Sequence, residues 1–145
     1  MDLAPWLPVQ TERLMPRIIV GAAIISDGRV LACERAQPPE MAGKWEFPGG
    51  KVDPGETEVQ ALVRECQEEL GVEVEVGPRV GDDIAMLGGT AVLRVYVATL
   101  ANGAQPQALE HSDLRWLAAG ELHSVPWLPA DAPIVHALAP LLPPD

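Results

Sequence analysis

The sequence is short of positive charge: its 145 residues hold 10 lysines and arginines against 21 aspartates and glutamates, a formal net charge of -11. So acidic a chain argues against DNA or RNA as a partner, because a polyanionic backbone is bound by a basic surface that displaces counterions. Cysteine is scarce as well. Cys33 and Cys66 are the only two, and their spacing is neither paired nor of metal-ligand type, which suits a reducing compartment and a cytoplasmic location. Nowhere is there the run of about 18 apolar residues that a membrane helix needs. The opening MDLAPWLPVQTERLMPR has three prolines and no apolar core of signal-peptide length, so no membrane partner is expected. No internal repeat is visible.

What is present fits a globular protein. Apolar residues make up 48% of the chain, enough for one core, and the length is too short for two comfortable ones. The expected organisation is an amino-terminal extension over residues 1–15 and a single domain over 16–145.

The informative segment is GKVDPGETEVQALVRECQEELGV, Gly50 to Val72. Thr57 and Gln60 stand at capping-box spacing and Gly71 supplies a left-handed stop, which predicts a helix from Glu58 to Leu70. Val59, Leu62, Val63, Cys66 and Leu70 form its expected packing stripe, with Ala61, Glu65, Glu68 and Glu69 on a different face. Acids crowded within one turn repel one another unless a divalent cation supplies positive charge. The candidate ligands are hard oxygens, with neither histidine nor cysteine among them, so Mg²⁺ is expected, with Mn²⁺ able to substitute. The bland alternative is a solvated helix face with pairs such as Arg64 and Glu68. The preceding Phe47-Pro48-Gly49-Gly50-Lys51 loop argues against it, since two glycines let backbone approach an ion or a phosphate closely.

Around this segment, Arg17 to Ser26 and Arg29 to Cys33 read as a hairpin about Asp27-Gly28. Val72 to Val76, Arg79 to Leu87, Thr90 to Leu100 and Leu114 to Leu117 read as strands. Ala118 to His123 and Ala132 to Leu142 read as helices. Strands on either side of one central helix, with more helix at the carboxyl end, predict an α/β fold with a mixed sheet covered on both faces.

Gly50, Glu56, Arg64-Glu65, Cys66, Glu68-Glu69, Gly71 and Val72 match the signature of the Nudix hydrolases at its nine specified positions across twenty-three residues. The likeness runs from about Pro16 onward and implies an α/β/α Nudix sandwich. AGKWEFPGGK, Ala42 to Lys51, and PADAP, Pro129 to Pro133, are similar to the MutT branch, in particular to bacterial enzymes acting on CTP, dCTP and 5-methyl-dCTP, some of which also cleave 8-oxo-dGTP. The resemblance implies Mg²⁺-dependent hydrolysis of a small-molecule nucleoside triphosphate to a monophosphate and pyrophosphate, in a monomer or homodimer. An 8-oxo-dGTP diphosphatase and a non-catalytic nucleotide-sensing module are the alternatives.

By carry-over, Glu65, Glu68 and Glu69 bind metal, Gly49 contributes its carbonyl, and Glu110 reaches the same site from a later loop. Glu56 lies at its edge and Arg64 orients the acids. The general base is Glu65 or Glu110, with Glu65 favoured. Arg35 and Lys51 are placed to touch the triphosphate or the nucleoside. Asp131 matches a position that meets the base edge, although an Asp before a helix is also an ordinary N-cap. Trp127 is expected in the core or as a wall of the base pocket. His111, His123 and His136 are expected to be surface residues without a ligand role.

Overall fold

The computed structural model describes residues 15–144. Apart from Met15, the expected extension over 1–15 lies outside the described residues. Strands β1 (Arg17–Ser26) and β2 (Arg29–Glu34) form the expected hairpin. Asp27 and Gly28 both take positive φ, 51° and 74°, the geometry of a tight turn whose twist matches its strands.

Strand β1 organises the sheet. Its first half pairs antiparallel with the short β4 (Gly49–Lys51), with Val20 opposite Gly50 and Gly21 opposite Gly49. On the other edge it runs parallel to β6 (Ala91–Leu100), which is antiparallel to β5 (Val74–Met86). Strand β2 carries β3 (Trp45–Glu46) on one side and β7 (Asp113–Leu117) on the other.

Because both faces of the sheet are covered, β1 is apolar throughout rather than alternating. Val20, Ala22 and Ile24 pack against Leu62, Cys66 and Leu70 of helix α1 (Glu58–Leu70). Ala23 faces the opposite core with Ile134, Val135 and Leu138 of helix α2 (Ala132–Leu138). The result is the expected α/β/α arrangement on a mixed sheet.

Helix α1 has the bounds its caps predict. The Gln60 N–H donates to Thr57 Oγ1 at 3.1 Å, the Thr57 N–H donates to Gln60 Oε1 at 2.9 Å, and Gly71 ends the helix at φ 67°. Its packing stripe is rotated from the expected one. Val59 is 46% exposed, whereas Ala61 and Glu69 are buried, because the helix packs against β4 and β5 as well as β1.

Three further expectations are corrected. The strands read as Val72 to Val76 and Arg79 to Leu87 are one strand, β5, with register shifts between Val76 and Arg79 and between Val80 and Ile84. Gly77-Pro78 therefore marks a bulge rather than a break between strands, and Gly81 lies at a second one. The helix expected over Ala118–His123 is a 3-10 turn, Ala119–Glu121. The one expected over Ala132–Leu142 divides into α2 and a 3-10 turn, Ala139–Leu141, since Pro140 has no N–H to continue the α-helical ladder. Among the described residues no helix is long and apolar enough to cross a membrane.

Candidate active site

The site forms where α1 meets β4. A Cβ on Gly49 would lie 1.9 Å from the carbonyl oxygen of Val20, and one on Gly50 would lie 1.8 Å from Glu65 Oε2. Only glycine lets the strand pass this close to its neighbour and to the acid.

Arg64 holds the outer acids. Its Nε donates to Glu56 Oε2 at 2.7 Å and its Nη2 to Glu56 Oε1 at 2.9 Å, a bidentate pair. Nη1 donates to Glu65 Oε1 at 2.8 Å and reaches Glu68 at 3.3 Å, while Nη2 also donates to the Lys51 carbonyl at 3.1 Å. The guanidinium and the Asp53 N–H hold the Glu56 carboxyl down at about 2. Glu65 is shifted the other way, upward, because burial outweighs its bond to Arg64 and Glu68 stands beside it.

Glu69 is 7% exposed. Burial first, then the charges of Glu65, Glu46 and Glu110, push its carboxyl up to about 9, against the opposing Gly49 N–H that donates to Oε1 at 3.4 Å. Among the described residues no three Asp, Glu, His or Cys side chains converge into a ready metal cage, because Arg64 draws Glu65 and Glu68 to itself and like charges stand apart. The donor chemistry nevertheless fits a divalent cation: two buried or half-buried carboxylates, both disfavoured as anions, with hard oxygens alone to offer.

Beside these acids lies a cleft of 670 Å³. Gly49, Lys51, Glu69, Glu110, Arg35 and Asp131 all line it, from segments as far apart as β2 and the start of α2. Arg64, Glu65 and Glu68 are not in its wall; Glu65 stands behind Gly50 and Glu68 is exposed beside Arg64.

Asp131 is 5% exposed. Its side chain makes no capping bond to α2, so the N-cap role does not explain it. Burial, aided by the charge of Glu46, pushes its carboxyl up to about 8, while the Phe47 N–H and Arg35 oppose. Phe47 lines the cleft. Trp127 packs against it at 4.9 Å between ring centroids and donates to the Leu122 carbonyl at 2.6 Å, which makes Trp127 core support rather than a pocket wall.

Two residues were missed from sequence. His111, expected on the surface, has a side chain only 6% exposed; its Nε2 lies 2.9 Å from Glu46 Oε2 and 3.8 Å from Glu69 Oε1. Glu46 also accepts from Arg35 Nη1 at 3.0 Å through its other oxygen. The only signal for His111 was its place next to Glu110. His123 and His136 are exposed, as expected.

Acids behind a glycine strand, beside a cleft with Arg35 and Lys51 in its wall, suit a hydrolytic enzyme. The NUDIX domain model matches residues 15–138, and the chain belongs to that family of hydrolases. It is 51% identical over 129 residues to a Mycobacterium tuberculosis protein named "Putative 8-oxo-dGTP diphosphatase 2", covering 87% of this chain and 90% of that one. It is 40% identical over 124 residues to the CTP pyrophosphohydrolase of Escherichia coli, covering 85% of this chain and 91% of that one. The solution structure of the E. coli ORF135 protein superposes with a TM-score of 0.75 at 37% identity, covering 88% of this chain and 92% of that one. Nudix hydrolases use divalent cations.

Proposed function

We propose that this protein hydrolyses nucleoside triphosphates to a monophosphate and pyrophosphate with Mg²⁺, favouring (d)CTP and modified forms such as 5-methyl-dCTP. The observation that carries the reading is a shared cleft: Glu69, Glu110 and Gly49 line it together with Lys51, Arg35 and the buried Asp131. That set suits phosphates beside the acids and cations and a base beside Asp131. The similarity to the E. coli CTP pyrophosphohydrolase supports the cytosine preference.

Glu65, Glu68, Glu69, Glu110 and the Gly49 carbonyl would hold the cation, which supplies charge stabilisation and polarises a phosphoryl oxygen. Glu65 is the general base. Arg64 fixes one of its oxygens, and the other faces Gly50. As water forms a bond to phosphorus and the bridging P–O bond breaks, its proton passes to Glu65. Lys51 and Arg35 neutralise phosphate oxygens or hold the nucleoside. Buried Asp131 meets the base edge, where a carboxyl can accept from the exocyclic amine of cytosine.

A second reading, 8-oxo-dGTP hydrolysis, is favoured by the 51% identity to the mycobacterial protein of that name. Asp131 can also accept from the N–H groups of an oxidised guanine. Pyrophosphate release measured side by side on dCTP, 5-methyl-dCTP, CTP and 8-oxo-dGTP separates the two, with kcat/KM expected highest on a cytosine nucleotide. Highest turnover on 8-oxo-dGTP replaces the first reading by the second, and binding without turnover on every nucleotide would make the protein a sensor. Asp131→Ala is expected to lower kcat/KM on cytosine nucleotides while leaving metal binding intact; equal losses on all nucleotides would count against base contact.

A further inference from the structure

The Arg35, Glu46 and His111 side chains form a chain across the cleft wall, from three separate elements. Arg35 follows β2, Glu46 ends β3, and His111 precedes β7. Both oxygens of Glu46 are taken: Oε1 by Arg35 Nη1 at 3.0 Å and Oε2 by His111 Nε2 at 2.9 Å. Arg35 is held a second time, its Nε donating to the Gln37 carbonyl at 3.0 Å. Two of the guanidinium's five N–H groups are thus committed to protein, which fixes its plane, and Nη2 makes no intramolecular bond among the described residues.

His111 itself is buried, and its Nδ1 has no hydrogen-bond partner. A carboxylate oxygen only accepts, so Nε2 carries the hydrogen. The imidazole is therefore set up as a single donor aimed at Glu46. Glu69, at 3.8 Å, is beyond hydrogen-bond distance.

We propose that His111 is a positioning residue that acts through Glu46 to orient Arg35 toward the nucleotide. The proposal rests on the reading that Arg35 meets substrate, and it predicts an effect on substrate affinity rather than on the chemical step. Without the imidazole donor, Glu46 can rotate, and the guanidinium loses its fixed plane. A histidine that merely fills space would be replaceable by any side chain of similar volume.

The test uses His111→Leu, which fills the space without a donor, His111→Gln, which keeps an N–H, and Glu46→Gln, which weakens the pair from its other side. On the best nucleotide of the panel, His111→Leu and Glu46→Gln are each expected to raise KM roughly tenfold, the scale of one charge-assisted hydrogen bond, with kcat within about threefold. His111→Gln should recover most of that loss. In an Arg35→Ala background His111→Leu should add less than about twofold, because the residues act as one chain. In His111→Leu, Mn²⁺ binding, followed by water proton relaxation without nucleotide, should stay unchanged. An unchanged KM, effects that multiply in the double variant, or weakened Mn²⁺ binding at constant KM would each overturn the proposal. Should His111→Leu fail to fold, Glu46→Gln reads the same pair. Nitrogen-15 NMR of the His111 ring decides the geometry even if wild-type enzyme turns over no nucleotide, an outcome that would instead refute the proposed function. The Nε2–H tautomer is expected, and an Nδ1–H tautomer sinks the proposal.

Discussion

Gly50 and Glu65 share one space: the volume that a Cβ at position 50 would fill is taken by Glu65 Oε2, 1.8 Å from where that carbon would lie. The strand and the helix of the signature segment are thus fitted to each other at one atom. Gly49 is constrained differently, by the Val20 carbonyl of the neighbouring strand at 1.9 Å and by a φ of 153°. One glycine makes room for a carboxylate and the other for backbone.

This distinction separates two alanine variants. In Gly50→Ala the obstacle is the far end of a flexible side chain, so the fold is expected to survive with Glu65 displaced and kcat reduced about 10²-fold, the scale of a lost general base. In Gly49→Ala the obstacle is backbone, and a loss of about 3 kcal/mol of stability is expected. Urea unfolding and steady-state turnover of both variants check the pair, and a Gly50→Ala enzyme with full activity would remove the basis for the Glu65 assignment.

Glu65→Gln keeps the shape of the side chain but cannot take a proton. Turnover should fall by roughly 10² to 10⁴, with thermal stability little changed. Glu110→Gln should cost less, because Glu110 lies exposed at the edge of the cleft. The reverse order of the two losses, measured at saturating Mg²⁺, would make Glu110 the base.

Asp131 gives a pH dependence with a defined sign. Burial pushes its carboxyl up to about 8, so the fold favours the protonated form. Its contribution to stability is fully present below about pH 4, the unfolded value, declines as pH rises toward 8, and is constant above that. Asp131→Asn mimics the neutral group. The stability of wild type relative to Asp131→Asn should therefore fall between about pH 4 and 8 and then level off. A difference independent of pH across that window, in thermal unfolding with chelator present, would show that the carboxyl ionises without cost.

Chelation with EDTA should abolish pyrophosphate release and adding Mg²⁺ should restore it. A Mg²⁺ ion held by the folded site should also raise the unfolding midpoint, through about 2.7 kcal/mol of stabilisation at a hundredfold excess over its dissociation constant. In Glu69→Gln both effects should weaken together. Activity that persists after dialysis against chelator would exclude the role given to these acids.

The helix that carries the signature was legible residue by residue. Thr57, Gln60 and Gly71 mark its ends through bonds within four residues, and such local chemistry needs no knowledge of the rest of the chain. The rotation of its packing face was not legible, since it depends on where β4 and β1 lie against it. Val59 is accordingly exposed and Glu69 buried. Strand β5 was misread as two for a related reason. Gly77-Pro78 looks like a break between strands when read alone, and only pairing with β6 turns it into a bulge.

The site divides along the same line. Residue types and spacing alone pointed to the acids of α1, the glycine loop before them and a hard cation, while phosphoanhydride hydrolysis came from the Nudix resemblance. Tertiary structure decided what faces them. β1 holds β4 on one edge and carries β2 in its hairpin, and β2 in turn holds β3 and β7. That register sets His111 against Glu46, which Arg35 also holds, on the wall of the cleft that reaches Asp131. No local periodicity encodes such contacts. They join residues from separate elements, and the strand pairing that makes them is set by burial of the whole sheet between two helices.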